Sequence, residues 1–217
     1  MSTPDTKQKI AAFFADYPIR TFDKGQILMK PDDSLPGIFY IIEGRVSQYD
    51  ITSGGTEVVV NVFKPPAFFP MSWAVNNTPN TFFFEASTRV VAYVAPPHDV
   101  VRFLRANPAI TFDLLARVYR GTDGLLRRMA HLMGGDAQSR LLFELLNAAY
   151  RFGELQEDGK TFVPIKETDL ARHSGLARET VNRNLQTLKK AGLLDVTHRG
   201  FTILDLADLE ARLSRSF

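Results

Sequence analysis

The chain has 217 residues, 45% of them hydrophobic and 23% charged, with a formal net charge of only +2. That length can hold two compact domains, and so small a net charge means any nucleic-acid binding must come from local patches. There are no cysteines, which excludes disulfides, thiolate-held iron–sulfur clusters, zinc fingers and thiol nucleophiles.

The start, Met1-Ser2-Thr3-Pro4-Asp5, is polar and lacks the apolar core of a signal peptide. No run approaches the roughly 18 apolar residues of a membrane span, so a cytoplasmic protein without a membrane partner is expected. Residues 6–15 read as a short amphipathic helix with Ile10, Phe13 and Phe14 on one side. From Ile19 to Val94 the pattern changes to short β segments: 26–29, 37–42, 45–49, 57–63, 81–86 and 90–94. Gly25, Gly44 and the Ser53-Gly54-Gly55-Thr56 turn punctuate them, and β-branched and aromatic segments spaced this way argue a sandwich or jelly-roll barrel.

Asp99–Ala106 reads as a short helix ending before Asn107-Pro108, and Pro108 suits the first turn of a long one. Along it Ile110, Leu114, Val118, Gly121, Leu125, Met129 and Leu132 form a heptad-like stripe. The stripe fits either packing on the chain's own barrel or a seam with a second copy. Gly121 and Gly124 are costly inside a helix, about 1 kcal/mol each relative to Ala, and leave close helix approach or a soft point as readings. Met133-Gly134-Gly135-Asp136 is a helix stop and hinge.

Ala137–Phe152 is the next helix, with Leu141, Leu142, Leu145, Leu146 and Ala149 as its core face, followed by a hairpin ending in Thr161–Ile165. Lys166–His173, the turn Ser174-Gly175-Leu176 and Arg178–Ala191 form a helix-turn-helix, with Val181, Leu185 and Leu188 inward and Gly192 as terminator. Leu193–Val196 and Phe201–Leu204 flank a His198-Arg199-Gly200 tip that reads as a wing, and Leu206–Leu213 closes the chain. The second helix opens with Arg178, Glu179, Asn182 and Arg183. Arginine pairs bidentately with guanine O6 and N7, and a glutamate accepts from cytosine N4, so these groups suit base edges in the major groove. Thr168, Arg172, Lys189, Lys190, His198 and Arg199 are candidate phosphate contacts, which position without specifying sequence. Lys166 and Ala177 stand where Ser or Thr would cap the two helices, so either start is open to a shift.

Three motifs carry a resemblance: Phe22-x-x-Gly25-x-x-Leu28, Tyr40-x-Ile42-x-Gly44-x-Val46, and Gly54-x-x-Glu57. Together with the hexapeptide Arg-Glu-Thr-Val-x-Arg at 178–183, the chain resembles the cyclic AMP receptor and fumarate-nitrate regulator (CRP/FNR) family from about residue 18 to residue 204. The resemblance implies an α+β architecture: an N-terminal cyclic-nucleotide-binding-like β jelly roll (1–107), a long dimerisation helix and hinge (108–135), and a C-terminal winged helix-turn-helix (136–217). It implies a homodimeric transcription regulator on double-stranded DNA, with half-sites similar to TGTGA or TTGAC in an inverted repeat about 34 Å apart. Carried over, Arg178 and Arg183 contact guanines, Glu179 a cytosine, and Asn182 occupies the variable position. An activator of this kind would also meet RNA polymerase.

Cyclic-nucleotide-binding relatives grip the phosphate and ribose with a Gly-Glu-Leu segment and a later Arg-Ser pair. Here those places read Pro70-Met71-Ser72 and, with a one-residue loop deletion, Asn80-Thr81; the adenine-contacting Thr-Ser pair falls on Leu125-Leu126. Each polar handle is gone, and cyclic AMP is not the expected effector. The replacements Phe68, Phe69, Pro70, Met71, Trp73, Phe82, Phe84, Leu125 and Leu126 either fill the barrel or line a site for an apolar effector. A third reading is haem, held by His98 and the Met71 sulfur. No resident cofactor or metal is otherwise expected. A cupin-like enzyme would need several histidines on barrel strands. The four histidines, 98, 131, 173 and 198, lie elsewhere, so no enzyme is expected. A DNA binder whose barrel is only a dimerisation scaffold remains open.

Overall fold

The computed structural model describes residues 4–215; the polar start Met1-Ser2-Thr3 lies outside them. Helix α1 (Pro4–Ala15) has proline in its first turn and a Lys9–Asp5 ion pair of 2.9 Å along its exposed side. Ile10 and Phe14, one turn apart, are buried, as their spacing predicts.

Eight strands follow: β1 (Ile19–Phe22), β2 (Ile27–Met29), β3 (Ile38–Glu43), β4 (Val46–Ile51), β5 (Glu57–Phe63), β6 (Ala67–Phe69), β7 (Phe83–Ala86) and β8 (Val90–Ala95). The short helix α2 (Met71–Asn76) interrupts them after β6. They form two four-stranded antiparallel sheets, ordered β1-β8-β3-β6 and β2-β7-β4-β5. Side chains alternate along β3. Phe39 and Ile41 enter the interior cluster with Met29, Phe69 and Phe84, whereas Ile38 and Tyr40 join Ile10 and Phe14 of α1. The first sheet therefore packs on the second sheet with one face and on helices with the other.

The Ser53–Thr56 turn is the expected hairpin, with Thr52 N–H donating to Thr56 O at 2.9 Å. Gly44, between β3 and β4, has φ +88°, and a Cβ there would stand 2.0 Å from the Arg89 carbonyl oxygen, so only glycine fits. The expected strands are present. Three short elements, β1, β6 and α2, had no separate place in the pattern; β6 is only three residues between two prolines, too few to show a period.

Helix α3 (Pro97–Ala106) buries Val100 and Leu104, and α4 (Pro108–Gly134) follows with Pro108 in its first turn. Ile110 is buried and Leu114 packs against the same cluster, so the first turns of α4 lie on the barrel's helical face. Beyond them Leu115, Val118, Tyr119, Leu125, Leu126, Met129 and Met133 are exposed. The single expected stripe is thus divided between barrel packing and open surface. The two compact units, Met1–Arg120 and Gly121–Phe217, divide inside α4, upstream of its end at Gly134 where the sequence predicts a hinge.

In the second unit, Asp136 caps α5 (Ala137–Phe152), its carboxylate accepting from Ser139 N–H at 2.8 Å; those hydrogen bonds hold the Asp136 carboxyl below its usual range. Then come β9 (Glu154–Leu155), β10 (Thr161–Val163), α6 (Glu167–Ser174), α7 (Arg178–Lys190), β11 (Leu194–Thr197), β12 (Gly200–Ile203) and α8 (Leu206–Arg215). The strands make one antiparallel sheet ordered β11-β12-β10-β9. Leu141, Leu142, Leu145, Leu170, Val181, Leu185, Phe201 and Leu209 share its core with the sheet. No helix among the described residues is long and apolar enough to cross a membrane.

Candidate functional site

Helices α6 and α7 meet at Gly175, whose φ of +64° supplies the left-handed C-cap of α6. Neither Lys166 nor Ala177 provides a side-chain cap, as their types predict, yet α7 begins at Arg178 without a shift. Glu167 and Asp169 in the first turn of α6, and Glu179 in that of α7, place negative charge where the helix dipole favours it.

Val181, Leu185 and Leu188 anchor one side of α7 in the core, and this leaves Arg178, Glu179, Asn182 and Arg183 exposed together on the other. Lys189 and Lys190 end the same helix, and His198 and Arg199 stand exposed at the β11–β12 tip. Thr168 is exposed on the first turn of α6. Arg172 differs: its Nε and Nη2 are shielded from solvent, so it is set back from the surface that the other candidates share.

The sequence reading missed Glu167. Its carboxylate reaches across the turn to α7, accepting from Asn182 Nδ2 at 3.3 Å and lying 3.9 Å from Arg178 Nε. A carboxylate fifteen residues from its partner leaves no local pattern to find.

A buried polar cluster lies behind this surface. Arg128, from the last turns of α4, donates Nε–H to Glu144 Oε1 of α5 at 2.6 Å and its Nη2–H to the carbonyl oxygen of His173 at the end of α6. Burial pushes the Glu144 carboxyl up, while Arg128 pulls it back. Burial, with the charges of Arg128, Arg172 and Arg151, drives the His173 imidazole down to about 3. The ring of His131, on α4, packs 4.6 Å from that of Phe143, and burial lowers its pKa too.

In the barrel, the candidate effector residues do not assemble into one lining. Phe69 and Phe84 are buried between the sheets with Phe82 against them, their rings stacked 5.1 Å apart and flanked by Phe39 at 5.4 Å and Phe63 at 4.7 Å from Phe69. Phe68, one residue earlier, faces the other way, where Met71 also packs. Strand alternation is the reason, since adjacent residues cannot line one cavity. Pro70 is buried, Trp73 partly so, and Ser72 and Thr81 are exposed. Asn80 is committed to its own backbone surroundings. Its Nδ2 donates to the carbonyl oxygens of Lys30 (2.8 Å) and Phe82 (2.6 Å), and its Oδ1 accepts from Phe82 N–H. Leu125 and Leu126 are exposed on α4. The pair suggested for haem does not fit that group, because the His98 side chain is 70% exposed, with Nε2 3.4 Å from the Asp99 carboxylate.

Residues 19–107 match the cyclic nucleotide-binding domain, and residues 139–212 match the Crp-like helix-turn-helix domain. The chain belongs to the CRP/FNR family. CRP/FNR proteins are transcription regulators rather than enzymes, and this chain is a DNA-binding regulator of that family. It is 24% identical over 192 residues to the global nitrogen regulator of Synechocystis, covering 85% of this chain and 84% of that protein. It is 25% identical over 191 residues to the probable transcriptional regulator flp of Lacticaseibacillus casei, covering 88% and 85%. Among solved structures, a CRP/FNR-family regulator from Thermus thermophilus superposes with a TM-score of 0.74 at 22% identity, over 92% of this chain and 99% of that one. A CooA mutant from Carboxydothermus hydrogenoformans gives 0.78 at 20% identity, over 93% and 90%.

Proposed function

We propose that this CRP/FNR chain acts in the cytoplasm as a homodimer that reads an inverted-repeat operator, with Arg178, Glu179, Asn182 and Arg183 on base edges. Thr168, Lys189, Lys190, His198 and Arg199 hold phosphates, with Arg172 behind them. The observation that carries this reading is the division of α7, with its apolar side locked in the core and its four base-reading candidates together in solvent. The exposed apolar residues of α4 from Leu115 to Met133 support pairing with a second copy, and paired reading heads match a two-fold operator. An activating member would contact RNA polymerase through the same DNA-bound dimer.

The barrel does not take cyclic AMP in this reading. Pro70 has no N–H for a phosphate, and Asn80, which carries no charge, spends its carboxamide on the backbone around it. The stacking of Phe39, Phe69 and Phe84 favours a second reading as well, a filled barrel whose regulator binds DNA without an effector. An apolar effector would have to displace those rings.

Fluorescence anisotropy on an operator and on random DNA tests the DNA-reading face. Arg183→Ala is expected to cost about 1–3 kcal/mol on the operator and to relax preference at one guanine. Lys190→Ala is expected to weaken every sequence and flatten the salt dependence. Equal losses on both DNAs for both variants would contradict the assignment.

A further inference from the structure

We propose that Glu167 sets the base preference of Asn182 by fixing the polarity of its carboxamide. The inference rests on α7 being the DNA-reading helix and names a specificity-determining residue outside that helix. Glu167 opens α6, and its two carboxylate oxygens address two members of the reading face, Oε2 accepting from Asn182 Nδ2 at 3.3 Å and Oε1 lying 3.9 Å from Arg178 Nε.

An ionised carboxylate only accepts hydrogen bonds, whereas a carboxamide has one donating and one accepting end. Asn182 must therefore turn its NH2 toward Glu167, which leaves Oδ1 for the groove. A free Oδ1 accepts from a base that presents a donor, adenine N6 or cytosine N4, and is repelled by the acceptors of guanine and thymine. Adenine gains further, because the second Nδ2 hydrogen remains for its N7. Without Glu167 the carboxamide can reverse, and the distinction between donor and acceptor edges weakens. Glu167 also favours the start of α6 through the helix dipole, so the test must read base ranking and not affinity alone.

Competition binding of the full chain to operators carrying each base pair at each half-site position provides that ranking. Asn182→Ala locates the position that Asn182 reads. Glu167→Gln keeps the size of the side chain but can donate as well as accept, so it unlocks the carboxamide. At the Asn182 position, discrimination between donor-presenting and acceptor-presenting bases is expected to fall about tenfold in Glu167→Gln, with the guanine preferences of Arg178 and Arg183 kept. Because the ranking is a ratio between DNAs, a change in the fraction folded does not move it. An unchanged ranking in Glu167→Gln overturns the inference, as does an Asn182→Ala variant with the wild-type ranking at every position. A wild-type protein that ranks no bases at all removes the DNA-reading role of α7 itself, and is thereby told apart from the other two.

Discussion

Acidification should destabilise the C-terminal unit through one buried ring. The His173 imidazole is held down at about 3, first by burial and then by repulsion from Arg128, Arg172 and Arg151. In the unfolded chain the same ring titrates near ~6.5. A folded pKa below the unfolded one means that the unfolded state takes up the proton more readily. The contribution is therefore whole above about pH 7 and is lost progressively as the pH falls toward about 3. Integrated from about pH 8 to about pH 5, the loss comes to about 2 kcal/mol, a large share of ordinary domain stability. Glu144 works in the opposite sense. Burial lifts its carboxyl, so its contribution is full at low pH and lost as the pH rises through the folded value. Comparison with His173→Gln, which retains Glu144, isolates the ring. Urea unfolding followed by circular dichroism at the two pH values should show the wild type losing about 2 kcal/mol more than the variant. Parallel losses, or a His173 ring resonance that titrates near ~6.5 in the folded protein, would refute the reasoning.

Three further outcomes follow from named contacts. Arg128→Ala strands the Glu144 carboxylate in the core and should cost about 3–5 kcal/mol in urea unfolding, part of it recovered when Glu144→Leu is added. Met129→Glu places charge in the exposed apolar run of α4 and should shift a dimer toward monomer in analytical ultracentrifugation, with the helix content unchanged. Cyclic AMP and cyclic GMP should give no saturable thermal shift; a shift that saturates would restore the nucleotide site that Pro70 and Asn80 argue against.

The elements carrying a strong period were legible from residues alone. Helix α5 follows from Leu141, Leu142, Leu145 and Leu146, and the wing from two alternating runs around His198-Arg199-Gly200. The solvent side of α7 was legible for the same reason, since Val181, Leu185 and Leu188 fix which residues must face outward. What escaped depends on side chains meeting across the fold. Strand alternation sends Phe68 and Phe69 to opposite faces of one sheet, so neighbours in sequence that looked like one lining belong to two clusters. The contacts of Arg128 left no local pattern, because its partners Glu144 and His173 lie sixteen and forty-five residues away. Glu167 carried no signal in the sequence, since its reach to α7 shows only once the turn at Gly175 is folded.

The bond between Arg128 and Glu144 also decides where this protein can be cut. A fragment beginning at Asp136 would retain the whole helix-turn-helix and its wing, yet would leave an acid in an oily interior with its counter-charge discarded. One beginning at Gly121 keeps the last turns of α4 and the arginine they carry. Those turns look like a connector in the sequence, but they are a structural part of the reading head, and the smallest portable DNA-binding piece of this chain begins inside the long helix.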